Sequence, residues 1–170
     1  MQTMLTGDFP NHPDVAMAVT AARPVPARIR IRVPSWAAHA MEIKVNNQAG
    51  VTGEPGSYVT LDRTWATGDT VRFSLPMELR LTRYTGLDKI KGHERFALEY
   101  GPVLLALIGS DSAALRVQNG SRYEDIVRQI TQAPYRPLHF SIDGHPEYSY
   151  IPYWQVLTEP FTCFPVIDLA

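Results

Sequence analysis

Four acidic side chains, in segments expected to be strands or strand ends, are the first candidates for hydrolytic chemistry. They are Asp62, Glu94, Glu99 and Glu159. Hydrolysis by general acid–base chemistry needs two carboxyl groups on opposite sides of the scissile bond, one of which holds a proton near neutral pH. Their spacing pairs no two of them across a cleft, and an ion pair or a solvated face is the ordinary role of each. The sequence therefore predicts no catalytic residue.

Cysteine and histidine offer no clear metal site. His139 and His145 are six residues apart and Cys163 is distant, which matches none of the compact zinc spacings. Cys163 lies between Thr162 and Phe164 in an apolar segment, where a thiol is usually a small buried hydrophobic group with a normal or raised pKa. We expect no metal and no cofactor, and a single cysteine cannot close an intramolecular disulfide.

Four aromatic residues could contact a sugar, because an aromatic ring offers apolar area and a weakly negative face to sugar C–H groups. These candidates are Trp36, Tyr58, Trp65 and Trp154. Trp36 and Trp65 are the better two, since each follows a strand edge or lies beside a turn. The alternative is that these rings close the ends of a β-sandwich.

Composition excludes several classes of partner. The 170 residues carry 16 basic and 17 acidic side chains, a net charge of -1, so electrostatics favours neither nucleic acid nor an anionic membrane as a partner. The longest apolar run, residues 102–108, is far shorter than the roughly 20 residues that cross a bilayer. Residues 1–10 lack the pattern of a signal peptide, which favours the cytoplasm but leaves the compartment open.

The elements that must position these residues are strands. Apolar residues alternate with period two in residues 14–20, and again in residues 27–33, where Ile29, Ile31 and Val33 share one face. The opposite face carries Arg28, Arg30 and Arg32. These arginines could grip an anion, but alternation of this kind is more typical of a sheet with one solvent-exposed face.

Further strands are predicted for residues 42–46, 58–62, 70–75, 78–83, 95–108, 138–142, 148–153 and 161–167. The segments 58–62 and 70–75 flank Gly68 and are expected to form a hairpin. Residues 122–132 have apolar residues at helical spacing, with Ser121 as the N-cap. We therefore predict an all-β, antiparallel β-sandwich of jelly-roll type with one short helix. Its expected parts are a sandwich in residues 1–110, a helical connection in 111–137, and strands in 138–170 that pack on the same sandwich.

Several segments, in this order, resemble one family. The sequence resembles the C-terminal β-sandwich region of the family 127 glycoside hydrolases, the β-L-arabinofuranosidase family. The segments that carry this resemblance are RIRVPSW at 30–36, VN at 45–46, GSYVTLDRTW at 56–65, GDTV at 68–71, LPMELR at 75–80, EYGPVLLA at 99–106 and YIPYWQVLTEPFTCFP at 150–165.

The resemblance implies a parent enzyme whose N-terminal helical barrel performs the reaction. In that family a cysteine nucleophile within a cysteine-rich zinc site and a glutamate acid/base lie on the barrel. None of these roles transfers to a residue of this chain, which has no paired cysteine motif.

These observations predict a non-catalytic accessory region whose partner is the catalytic barrel of the parent enzyme. An exposed apolar patch is expected where that barrel would dock, and the patch could make the chain self-associate. Carbohydrate is a further possible partner. The alternatives are a stand-alone carbohydrate-binding module, which needs exposed coplanar aromatic rings, and an independent enzyme, which needs a pocket with a paired acid and nucleophile.

Overall fold

The computed structural model describes residues 1–46, 48–118 and 120–169. Nearly all its regular structure is antiparallel strand, which confirms the predicted all-β class. Contacts divide the chain into two units, Met1–Glu78 and Leu79–Ala170. The expected first domain, residues 1–110, runs across this division, because the strand Val103–Ile108 pairs with Ser149–Pro152 and Phe161–Thr162 of the second unit. In the described residues no helix is long and apolar enough to span a membrane.

The described residues of the first unit, 1–46 and 48–78, form seven strands in two sheets. They are β1 (Gln2–Gly7), β2 (Asp14–Thr20), β3 (Val25–Arg32), β4 (Met41–Val45), β5 (Val51–Gly53), β6 (Tyr58–Trp65) and β7 (Thr70–Ser74). One sheet has the order β1-β2-β7-β4-β5, and the other is the pair β3-β6. The core contains side chains from both sheets, so the unit is a β-sandwich.

The alternation in β3 has the predicted orientation. Arg28, Arg30 and Arg32 are exposed, while Ile29 and Ile31 are partly buried and pack against the core. Val33, just beyond the strand, has 0% exposure. The period-two pattern therefore predicted the two faces of this strand correctly, although the isoleucines lie at the margin of the core.

The predicted hairpin between β6 and β7 is wrong. β6 pairs with β3, whereas β7 pairs with β2 and β4, so the turn around Gly68 carries the chain from one sheet to the other. Asp69 holds this crossing in place. Its carboxylate accepts hydrogen bonds from Asn46 Nδ2 and from the Ala66 N–H, both at 2.8 Å.

Asn46 completes the connection to β7. Its backbone has a φ of 55°, a left-handed conformation that asparagine tolerates better than most residues. In this conformation the Asn46 Oδ1 accepts a hydrogen bond from the Thr70 N–H at 2.8 Å. The Asn46 side chain thus donates a hydrogen bond to the Asp69 carboxylate and accepts one from the first backbone N–H of β7.

Nine strands lie in the part of the second unit that the structure describes, 79–118 and 120–169. They are β8 (Leu79–Arg83), β9 (Phe96–Tyr100), β10 (Val103–Ile108), β11 (Ala114–Arg116), β12 (Ile130–Gln132), β13 (Phe140–Ile142), β14 (Ser149–Pro152), β15 (Phe161–Thr162) and β16 (Val166–Asp168). A seven-stranded sheet has the order β12-β13-β14-β10-β9-β8, with β15 also paired to β10. β11 and β16 form a separate parallel pair.

The predicted helix is shorter and tighter than expected. It is a 3-10 helix over Tyr123–Gln129, and the residues that follow form strand β12, which pairs with β13. Two contacts explain this outcome. The Asp125 carboxylate accepts hydrogen bonds from the N–H groups of Ser121 and Arg122, at 3.2 and 3.1 Å. The buried Gln129 side chain accepts a 2.6 Å bond from the Gln118 N–H, so tertiary contacts end the helix where its apolar spacing would continue.

Candidate functional site

Each of the four acidic candidates accepts hydrogen bonds from neighbouring groups. Asp62 pairs with Arg28 at 2.7 Å, and Glu99 accepts hydrogen bonds from Arg80 at 2.8 Å and Thr82 at 2.6 Å. These contacts are those of solvated strand faces, the ordinary role that the sequence predicted for them.

Glu94 and Glu159 have pKa values below the ordinary value for glutamate. The hydrogen bonds and positive charge of Arg83 lower the pKa of Glu94. Backbone N–H groups of Glu159 itself, Leu157 and Thr158 lower the pKa of Glu159. A general acid needs the opposite shift, because it must hold a proton near neutral pH. The pKa shifts of Glu94 and Glu159 are thus opposite to the shift that a general acid uses.

The structure also gives the surroundings of Cys163 and the two histidines. Burial raises the pKa of the Cys163 thiol, which disfavours the nucleophilic thiolate. His139 Nδ1 lies 3.0 Å from the Pro137 carbonyl oxygen, and His145 Nδ1 lies 3.3 Å from a carboxylate oxygen of Glu147. In the ranges 1–46, 48–118 and 120–169, no three His, Cys, Asp or Glu side chains cluster in a way that could hold a metal ion.

Two of the aromatic candidates of the first unit are covered. Trp65 has 0% exposure, and its Nε1 donates a hydrogen bond to the Ala27 carbonyl at 3.0 Å, so it is a core residue and cannot touch a sugar. Trp36 is partly buried and stacks on Phe9, with ring centroids 6.0 Å apart and planes at 17°.

The other two candidates are exposed. Tyr58 is 52% exposed, but the Arg30 guanidinium lies 4.4 Å from its ring centroid and occupies one face. Trp154, in the second unit, is 49% exposed and meets Tyr153 edge-on at an interplanar angle of 82°. Because Tyr153 and Trp154 are perpendicular, they cannot both lie flat against one sugar.

A groove of about 700 Å³ lies on the five-stranded sheet of the first unit. It lies over the face that points away from the core. Residues that lie opposite one another on neighbouring strands form a row across this face, in the order Thr6, Ala16, Arg72 and Lys44. A second row contains Asp14 opposite Ser74. We refer to this surface, which His39, Ala40, Glu42 and Pro76 also line, as the sheet groove.

Charges of both signs line the sheet groove. Glu42 and Lys44 form an ion pair at 3.0 Å with both side chains about half exposed. Arg72 and Asp14 form no ion pair within the described part of the chain, although both line the groove. The small side chain of Ala16 leaves space between them.

Sequence reasoning missed this groove, although part of the signal was present. Ala16, Lys44 and Arg72 alternate with core residues of β2, β4 and β7, so period two already places them on the opposite face. Their meeting depends on the strand order β2-β7-β4, which joins strands distant in sequence and leaves no local mark.

Comparison with protein-family models gives a match over the first part of the chain. Residues 1–77 match the family model described as β-L-arabinofuranosidase, GH127 middle domain. Comparison with curated protein sequences gives no match.

Three solved structures share the fold, each at 17% sequence identity. One described as a GH127 β-arabinofuranosidase has a TM-score of 0.70 and is matched over 98% of this chain and 31% of its own. One described as a glycoside hydrolase has a TM-score of 0.68, over 99% and 32%. A GH127 β-L-arabinofuranosidase from Geobacillus stearothermophilus T6 has a TM-score of 0.65, over 98% and 30%. The present chain thus spans about a third of the length of these proteins.

The family model corrects one expectation from sequence. The quoted segments suggested a C-terminal region, whereas the model that matches residues 1–77 describes a middle domain. The order of domains in a longer protein is not encoded in the residues of one domain, which is why the segments indicated the family but not the position. Residues 1–77 are thus similar to the GH127 middle domain, and the chain shares its fold with solved structures described as glycoside hydrolases.

Proposed function

We propose that this chain is a non-catalytic accessory region of a glycoside hydrolase of the β-L-arabinofuranosidase type. In this proposal it supports an N-terminal helical-barrel catalytic domain that lies outside these 170 residues. Two observations support the non-catalytic part. The acidic candidates are paired or have lowered pKa values, and the solved structures that share the fold are about three times as long.

The observation that carries the docking part is the exposed strand β1. All six residues of Gln2–Gly7 are exposed, and β1 is the end strand of its sheet. Met4 and Leu5, which point to opposite faces, are 61% and 67% exposed. The strand contains no charge and no proline, although edge strands are usually protected by such residues. We infer that β1 is the surface that the barrel covers.

A reconstitution assay tests this proposal. The chain alone is expected to release no aryl arabinofuranoside product above background, whereas the chain joined to a barrel domain of the family is expected to be active. The variant Leu5→Lys should weaken that assembly, because it places a charge in the proposed contact. Leu87→Lys is the matched control, since Leu87 is fully exposed in the second unit.

The results of this assay distinguish an accessory region from an independent enzyme, and they test whether β1 is the docking surface. Turnover by the chain alone that is abolished by changing Asp62, Glu94, Glu99 or Glu159 would establish an independent enzyme instead. Equal effects of Leu5→Lys and Leu87→Lys would remove β1 from the docking surface. The mass of the isolated chain in solution should also be measured, because an uncovered apolar edge is expected to promote self-association.

A stand-alone carbohydrate-binding module is the second candidate function. The exposed ring of Trp154 favours it, and the ring is presented by a 3-10 turn, Tyr153–Gln155. The perpendicular arrangement with Tyr153 places this function second, because a flat sugar platform needs coplanar rings. Quenching of tryptophan fluorescence by arabinose oligosaccharides, lost in Trp154→Ala and retained in Tyr58→Ala, would promote it.

A further inference from the structure

We propose that the sheet groove of the first unit binds a neutral sugar of one or two rings. The groove has about 700 Å³, within the range of roughly 300–1,000 Å³ typical of small-molecule sites. It lies within the first unit, and one end of it is formed by Thr6 of β1, the strand of the proposed docking surface, so the test uses the chain without a barrel.

The arrangement of Arg72 and Asp14 defines the kind of ligand. Asp14 lies opposite Ser74, two residues along β7 from Arg72, so the two side chains are diagonal neighbours on adjacent strands. Diagonal positions are about 7–8 Å apart, a separation at which two side chains can each reach a different hydroxyl group of one ring. Ala16, which lies opposite Arg72, extends no further than its methyl group and leaves the intervening floor open.

The donors and acceptors of the groove match hydroxyl groups. Arg72 and Lys44 only donate hydrogen bonds, and the carboxylates of Asp14 and Glu42 only accept them. A sugar hydroxyl can do both, so neighbouring hydroxyls can contact a guanidinium on one side and a carboxylate on the other.

Other classes of ligand fit the groove less well. A phosphate or a uronic acid would meet the carboxylates of Asp14 and Glu42, and an amine would meet Arg72 and Lys44. A lipid chain would have to strip water from these charges without replacing their hydrogen bonds. A neutral polyhydroxylated ligand avoids both costs.

The test is a titration of the isotopically labelled full chain, followed by amide chemical shifts in NMR spectra. The neutral probes are L-arabinose and an arabinose disaccharide, and the charged probes are galacturonic acid and glucosamine. We expect saturable shifts centred on Ala16 and Arg72 with the neutral probes, at millimolar concentrations. The charged probes should bind at least several-fold more weakly.

Two variants and one control locate the site. Arg72→Ala removes charge-assisted hydrogen bonds and should weaken neutral-sugar binding about tenfold or more. Ala16→Leu fills the floor and should weaken it similarly, and both positions face away from the core, so folding should be retained. Arg32→Ala is the control, because Arg32 is an exposed arginine of the other sheet in the same unit. Absence of saturable shifts, or equal affinity in Arg72→Ala and Arg32→Ala, would overturn the proposal.

Discussion

Replacing Asp69 with alanine is expected to destabilise the first unit by about 2–4 kcal/mol. The carboxylate accepts two hydrogen bonds of 2.8 Å, from Asn46 Nδ2 and the Ala66 N–H, and its side chain is only 14% exposed. A hydrogen bond to a charged group contributes roughly 1.5–3 kcal/mol, and water that enters the vacated space offsets part of the loss. The Arg63 guanidinium, at 3.8 Å, adds a weaker attraction.

Urea unfolding followed by tryptophan fluorescence measures this effect. Trp36 and Trp65 lie in the first unit and Trp65 is fully buried, whereas Trp154 is already half exposed, so the signal reports mainly on the first unit. With a slope of roughly 1–3 kcal/mol per M, the midpoint should fall by about 1 M or more. Asp62→Ala is the matched control, because the Asp62–Arg28 pair is more than 60% exposed on both sides and should contribute below about 1 kcal/mol.

The same variant has a defined pH dependence. The hydrogen bond from Asn46, followed by that from Ala66, lowers the pKa of Asp69 below its ordinary value. A carboxyl group with a lowered folded-state pKa stabilises the fold above its unfolded pKa, about 3.9, and this contribution is lost as pH falls through the folded value. The free-energy difference between wild type and Asp69→Ala should therefore be full at pH 7 and narrow progressively below about pH 4. A difference that matches the Asp62→Ala control, or that stays constant into this acid range, would refute the reasoning.

Three further outcomes are expected. Gln129→Ala should destabilise the second unit by about 1–3 kcal/mol and speed hydrogen exchange at the Gln118 amide, because the buried Gln129 side chain accepts a 2.6 Å hydrogen bond from that amide. An unchanged exchange rate at Gln118 would contradict this prediction. Cys163→Ser should lower the free energy of unfolding by less than about 1 kcal/mol. The Cys163 thiol should alkylate slowly at pH 7, because burial raises its pKa. Stoichiometric zinc that is lost on this substitution would instead show that Cys163 binds a metal. Ile31→Ala should destabilise the chain by about 1–2 kcal/mol, which is below the usual cost at a fully buried site because Ile31 is only partly buried. Arg30→Ala should cost less than about 0.5 kcal/mol. Chemical denaturation of the two variants measures this difference.

Strand positions could be predicted from the sequence because most strands of this fold have one core face and one wet face. In β4, and in β3 from Ala27 onward, apolar and charged residues alternate, and the burial follows the same period. In β6, Trp65 has the same parity as Val59 and Leu61, and all three side chains are buried. Its selection as a sugar contact gave more weight to the neighbouring turn than to this parity.

Sheet membership could not be predicted in the same way. The turn at Gly68 shows that the chain reverses, but it does not show whether the next strand joins the same sheet. In the first unit the crossing between sheets is accompanied by contacts of Asn46 with Asp69 and Thr70, which bring together residues more than 20 positions apart. The sheet groove depends on the same strand order, and so it was not visible from any one segment.

The parallel pair of β11 and β16 has a consequence for how the chain is made. In this pair Val166 lies opposite Ala114 and Asp168 lies opposite Arg116. The two strands are about 50 positions apart in sequence, so the pair can form only after β16 has been synthesised. The first unit has all seven of its strands once Ser74 has been synthesised. During translation, we expect the first unit to fold before β16, the last strand of the second unit, has been synthesised. A ribosome-bound chain stalled well beyond residue 78 should already protect the first unit from protease, and leave the second unit open to cleavage.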